Sequence, residues 1–460
     1  MSRAVQFETT LDSVPAAWER PARERRWDLA FVGLLFYLLV EYTRLSAMYP
    51  VLAPLQVGKI AVALGIVGWI LAPRGIARRP PAALWMDRLL LLFLISVLFV
   101  TLLAVHSDRA WTGFFDILRW LVIYFLITRV LTNDWRLRVF LLLLLLLNLK
   151  MAQFVVRSYL MLLASGVPGW ALAKFGVGAG STGFFSNASD FGVGMCVIFP
   201  VAGYLFFARE SKLIRMMLFA STLIFLAAIL VCGSRGALVG ALASGAAALF
   251  RNPKKSAALM MVVIVVIGVI YFLPEASKDR VESGMNWEQD GTASHRIYLW
   301  KQGLKMFRDY PIFGVGPHNY PIVRFEHYNE NDPHPGPFVS HSVYIEALTE
   351  LGLVGLVPLI LLFVLFFRQN ALTRKHILAT DPDGKQSFFY CLALGLDLGM
   401  IGFMASAAFV SVLYYPHIWI LLSLSTSLHT IAARPKPVAR IEKVRVDETS
   451  EEEFLVPTTR

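Results

Sequence analysis

Apolar residues run through this chain in long blocks, such as Phe140 to Leu147, separated by short segments rich in arginine, glycine and proline. Blocks of roughly 17 to 25 apolar residues match the thickness of a bilayer's hydrocarbon layer. The pattern predicts twelve helices, at 29–48, 54–72, 89–106, 113–131, 137–163, 190–208, 214–232, 236–250, 256–273, 341–367, 387–411 and 416–432. The chain thus divides into a polar tail at 1–28, nine spans over 29–273, a long polar loop at 274–340, three spans over 341–432 and a second tail at 433–460. Its fold class is all-α and polytopic.

Composition agrees, since 57% of the 460 residues are hydrophobic and 16% charged, a ratio that excludes a soluble domain of this size. Lysine and arginine give an independent test of the spans. With the amino terminus cytoplasmic, 28 of the 43 fall in segments that would be cytoplasmic, and seven of the others lie in loop 274–340. That alternation follows the positive-inside rule, so both ends are expected in the cytoplasm and loop 274–340 outside. The net charge of +11 is then a consequence of topology and not a sign of nucleic-acid binding. The first 28 residues have no short apolar core followed by a cleavage site, so the first span is expected to act as the insertion signal. Cys196, Cys232 and Cys391 all lie in apolar segments, where they read as small buried hydrophobes.

Two external segments are long. Residues 164–189 are glycine-rich and end in Ser186-Asn187-Ala-Ser189-Asp190, a cap for the sixth span. In loop 274–340, Arg296, Trp300, Leu304 and Phe307 fall at helical spacing, which predicts an amphipathic helix on the membrane surface. It should end at Asp309-Tyr-Pro311, before the turn-rich IFGVGPHNYP.

The stretch from Phe338 to Gly355 takes a polar loop directly into an apolar helix, which sets His341 at the boundary between water and hydrocarbon. His341, Ile345, Leu348, Gly352 and Gly355 share one helical stripe, and the two glycines would let another helix approach closely. A neutral imidazole there suits a general base. Arg235, in Cys232-Gly-Ser234-Arg235-Gly236, opens a helix on the external side, where backbone N–H groups and the guanidinium could converge on an anion. Asp397, mid-span, should pair with a basic residue of a neighbouring helix, Lys150 being one candidate. No metal site is expected: Asp381-Pro-Asp383-Gly reads as a cytoplasmic turn, and His318, His327 and His334 lack ligand spacing.

His341-Ser342 followed by Gly352-x-x-Gly355, the Ser234-Arg235-Gly236 turn, and the Arg296…Trp300…Pro311-x-x-Gly314-x-Gly316 run together resemble the O-antigen ligase and O-antigen polymerase superfamily, most nearly an O-antigen ligase. The resemblance covers roughly residues 180–430. It implies a GT-C-like glycosyltransferase of the bacterial inner membrane, free of metal and other cofactors, working on the periplasmic face. The donor would be a glycan on undecaprenyl diphosphate and the acceptor a lipid A-core sugar, a growing glycan or a protein. His341 would be catalytic, Arg235 and Arg296 would bind the diphosphate, and Ser234, Ser342 and Asp397 would support them. A transporter would also explain twelve spans, but it calls for broken helices and an inverted repeat, and the sequence pattern gives neither.

Overall fold

The computed structural model describes residues 26–44, 49–72, 79–166, 185, 187–251, 291–330, 332 and 334–434. Thirteen α-helices occur among them: α1 (Leu29–Thr43), α2 (Val57–Leu71), α3 (Pro81–Leu102), α4 (Ser107–Val130), α5 (Asp134–Ala164), α6 (Ala188–Leu205), α7 (Lys212–Val231), α8 (Arg235–Arg251), α9 (Gly291–Asp309), α10 (Tyr320–His327), α11 (Val343–Thr380), α12 (Phe388–Ser406) and α13 (Pro416–Ala432). No strand accompanies them among the described residues. Seven helices there (α3 to α7, α11 and α12) are long and apolar enough to cross a bilayer, so this is an all-helical, multi-pass membrane protein. α1 and α2 are shorter apolar helices. Helices stand at eleven of the twelve expected positions, α1 to α8 and α11 to α13, seven of them long and apolar enough to span, while the position 256–273 lies outside the described residues.

Short polar side chains start the helices. Asp28 accepts from the Phe31 N–H (2.8 Å), Asn133 from Arg136 (2.9 Å) and Ser387 from Tyr390 (3.2 Å). The expected cap at Asn187 is present, its Oδ1 accepting from Ser189 (2.8 Å) and Asp190 (3.0 Å). The core centres on α6, buried almost all round and wedged among α7, α8 and α12. A side chain at Gly399 would meet the Val197 carbonyl, so this glycine sets how closely α12 can lie on α6. All three cysteines are buried and free.

Three expectations need correction. The amphipathic helix exists as α9, but it docks on protein: Leu299, Gln302, Gly303 and Met306 form its buried face, Gly303 sits against Ile345 and Thr349 of α11, and Leu304 is 52% exposed. Asp397 pairs with Arg374 (2.7 Å) and Arg251 (3.0 Å) and accepts from Asn370 (2.9 Å), not Lys150, because α12 packs on α8 and α11 while Lys150 points outward. The stripe beneath His341 is interrupted, and the interruption organises the end of the bundle that carries the histidine.

At Gly352 the backbone leaves the helix with φ 56° and ψ −164°, a region essentially restricted to glycine. The segment that follows α9 inserts at this break. Val315 and Gly316 donate to the carbonyls of Thr349 (2.9 Å) and Glu350 (3.0 Å), and Leu353 and Val354 donate to those of Pro311 (2.9 Å) and Ile312 (3.0 Å). Backbone groups that a continuous helix would pair internally are thus paired with the loop, the condition for irregular backbone within a membrane span. A side chain at Gly352 would meet the Ile312 carbonyl and Gly314 N, so the glycine admits this loop and not a neighbouring helix. Gly355 faces Leu351 of its own chain. One broken helix is therefore present where the sequence pattern indicated none.

Candidate functional site

His341 lies in the turn just before α11, with φ 51°, an uncommon conformation for a residue carrying a side chain. The turn is fixed on both sides. Ser340 Oγ donates to the Ser342 carbonyl (2.9 Å) and meets Ser411 Oγ (3.1 Å), and the Trp300 indole N–H donates to the Ser340 carbonyl (3.0 Å). Ser342 is the N-cap position of α11 and is buried; its side chain makes no cap hydrogen bond, and its carbonyl accepts from the Glu346 N–H (2.9 Å). The His341 imidazole makes no hydrogen bond to another described residue, which leaves its nitrogens available. Burial, then the charges of Arg296 and His295, push its pKa down to about 4, so it is neutral at pH 7 and able to accept a proton.

Arg296 stands one helical turn before Trp300 on α9, so the helix that pins the histidine turn also delivers the guanidinium whose field His341 feels. Arg235 is the first residue of α8, where Gly233 (φ 74°) makes the turn and Ser234 Oγ accepts from the Ala237 N–H (3.3 Å). Ser234 is thereby occupied as a cap. Gly236 lies against Ser406 and Phe409, and the Phe409 ring meets Trp300 at 6.2 Å. Through Phe409 and Trp300 the Arg235 turn reaches the wall that carries Arg296 and His341. These three residues gather at one end of the bundle.

Asp397 does not join them. It binds Arg251, the last residue of α8, while Arg235 is the first. Sixteen residues of helix separate the two arginines by roughly 24 Å. Asp397 is a buried carboxylate (1% exposed) neutralised by two guanidiniums in the other half of the bundle.

Sequence reasoning missed the carboxylate that holds the loop following α9. Glu350, 1% exposed, accepts from the N–H groups of His318 (2.9 Å) and Tyr320 (3.1 Å) and from the Tyr414 hydroxyl (2.5 Å). It fastens the loop about half a turn before the break at Gly352. Arg324 of α10 is fully buried, paired with Asp332 (2.6 Å) and donating to the Gly336 carbonyl. Glu350 was visible only as one of several charges inside a span; that its partners lie 30 to 64 residues away leaves no mark in local spacing.

The fold and this site define a multi-pass membrane protein with a histidine and two arginines at one end of its helices. A family model described as O-Antigen ligase matches residues 220–360, a segment that contains Arg235, Arg296, His341 and Gly352 and leaves out Asp397. The chain is also similar to the exopolysaccharide production protein ExoQ of Rhizobium meliloti (strain 1021), 34% identical over 101 residues that make up 21% of this chain and 22% of that protein. The resemblance to the O-antigen ligase and polymerase superfamily drawn from the motifs is supported by both. The match spans about a fifth of the relative's length.

Proposed function

We propose that the protein is an O-antigen ligase, transferring a glycan from undecaprenyl diphosphate to a hydroxyl of lipid A-core sugar on the periplasmic face of the bacterial inner membrane, with both termini cytoplasmic and twelve spans. The observation that carries this reading is the juxtaposition of a neutral, accessible imidazole at His341 with the Arg296 guanidinium at the mouth of an apolar bundle. Such a pair suits a lipid-linked, anionic donor. His341 takes the proton of the acceptor hydroxyl as its oxygen forms a new C–O bond at the anomeric carbon. The glycosyl C–O bond to the diphosphate breaks, and the electron pair departs with the diphosphate. Arg235 and Arg296 stabilise the charge growing there, a task for which paired guanidinium N–H groups are suited. Direct displacement inverts the anomeric centre. His341, neutral at pH 7, is ready for this step without prior deprotonation.

A second reading is polymerisation, in which the acceptor is another lipid-linked glycan; the similarity to a protein named for exopolysaccharide production favours it. The test is an assay with purified protein, undecaprenyl-diphosphate glycan and either core-only lipopolysaccharide or a second lipid-linked glycan as acceptor, with products read by mass spectrometry. A glycan-bearing lipopolysaccharide supports the ligase. A lengthened lipid-linked glycan supports the polymerase, and no product with either acceptor removes both.

A further inference from the structure

A second group of charged side chains lies on the apolar helix α4 and the loop packed against it, apart from the histidine and two arginines. On α4, Asp116 and Arg119 are nine and twelve residues from the helix start at Ser107, roughly 13 and 18 Å along its axis. Asp116 bridges Arg119 (3.2 Å) and the His318 imidazole Nε2 (3.2 Å). A charge within a span ordinarily faces a buried partner or water. Here the partners are each other and all three are open: the Arg119 side chain is 56% exposed, His318 35% and Asp116 30%. A purely structural pair, such as Arg324 with Asp332, is enclosed instead.

The group is built, not incidental. Gly113 makes room for the loop, since a side chain there would meet Pro317 and His318. His318 is held in a left-handed conformation (φ 57°) by its N–H bond to Glu350, and its ring stacks on Tyr414 at 4.0 Å. Thr112 and Phe115, both exposed, stand three or four residues from Asp116 and Arg119 and share their face of α4. Arg119 is further braced over the Trp120 ring at 5.0 Å.

A carboxylate, a guanidinium and an imidazole edge, each partly exposed, with an exposed aromatic ring on the same helix, match the chemistry of a sugar: vicinal hydroxyls for the charged groups and a C–H face for the ring. Distance to the catalytic turn supports the same reading. The segment that stacks on His318 through Tyr414 touches Ser340 through Ser411, three residues earlier. Three residues of backbone span at most roughly 10 Å, and the Tyr414 side chain and the two contacts add to that, which leaves the two groups within reach of one oligosaccharide. We propose that Asp116, Arg119 and His318, with Phe115, form the acceptor-saccharide site, separated from the donor site by the 411–414 segment. The proposal rests on the transferase reading for its choice of ligand.

The experiment measures binding of two probes to full-length protein in nanodiscs: core-only lipopolysaccharide and undecaprenyl diphosphate. Asp116→Asn and Arg119→Gln are expected to weaken the first by at least about tenfold, the loss of a hydrogen bond to a charged group, and to change the second less than about twofold. Arg119→Gln alters an exposed side chain and so guards against misfolding in the other variant. Free core oligosaccharide is expected to compete with core-only lipopolysaccharide. Unchanged affinity for the first probe in both variants, an equal loss of both probes, or competition by lipid A but not by free oligosaccharide would overturn the site. If the wild type binds the oligosaccharide, loses it in these variants and still forms no product, the site stands and the transferase reading falls.

Discussion

Gly352→Ala tests whether the broken helix and its inserted loop form one device. An alanine cannot hold φ 56° and ψ −164° without strain of about 1–3 kcal/mol, and its Cβ would meet the Ile312 carbonyl and Gly314 N. The four backbone hydrogen bonds that dock the loop contribute roughly 0.5–1.5 kcal/mol each, about 2–6 kcal/mol together. The variant also has somewhere else to go, because α11 can close into a regular helix, where alanine is favoured over glycine by about 1 kcal/mol. The gap between docked and undocked loop should therefore shrink by roughly 2–4 kcal/mol, with the bundle still folded. Hydrogen exchange reads this directly: the amides of Val315 and Gly316 should lose protection by roughly 30- to 1,000-fold. Amides in the half of α12 around Asp397, away from the break, should not change. Gly355→Ala, whose added Cβ would press on the Leu351 side chain and has no loop atom among its nearest contacts, is the control and should leave the loop protected. Full protection of Val315 and Gly316 in Gly352→Ala would refute the reasoning, as would equal loss in the control.

Further outcomes follow from the same structure. Arg235→Lys keeps the charge but loses the paired N–H geometry, so turnover should fall by more than about tenfold at saturating acceptor; near-normal turnover would reduce Arg235 to a headgroup anchor. Asp397→Asn should leave two guanidiniums without a counter-charge and lower thermal stability, toward the lower end of about 3–5 kcal/mol because Arg251 is half-exposed. Its folded fraction should turn over normally, and a selective loss of turnover at unchanged stability would return Asp397 to the site. The folded pKa of His341, about 4, lies below the unfolded value of about 6.5, so protons bound between the two favour the unfolded chain. Its burial costs no stability above about pH 6.5 and costs progressively more as pH falls toward 4. His341→Gln should remove that part of the acid sensitivity in a pH series of melting temperatures. The kcat/KM of the native enzyme should stay flat from pH 7 to about 5 and fall only near 4.

The helices were legible because burial in a bilayer is written in long apolar runs, which need no knowledge of partners. Arg235, Arg296 and His341 could be singled out as candidates because each sits beside a marker, a glycine turn, a tryptophan one turn on, or a polar-to-apolar boundary. What could not be read is what depends on distant partners. Gly352 looks like any small residue on a helical stripe until the 311–316 loop is seen inside the break. Periodicity put Leu304 on one stripe with Arg296, Trp300 and Phe307 of a helix expected on the membrane surface, whereas α9 docks on α11 through Gly303, the residue without a side chain. Lys150 was a reasonable partner for Asp397 by charge alone. The arginines that neutralise it come from α8 and α11, a choice made by which helices pack on α12.

His341 carries the proposed chemistry, and the most direct test takes His341→Ala and the native protein through thermal stability, undecaprenyl-diphosphate binding and single-turnover transfer on the same preparations. Half-buried in a turn held by Ser340 and Trp300, the imidazole can be removed without opening the core. The account predicts a folded variant that binds donor normally and transfers about 10² to 10⁴ times more slowly. A stable variant that still transfers at more than roughly a tenth of the native rate would contradict it.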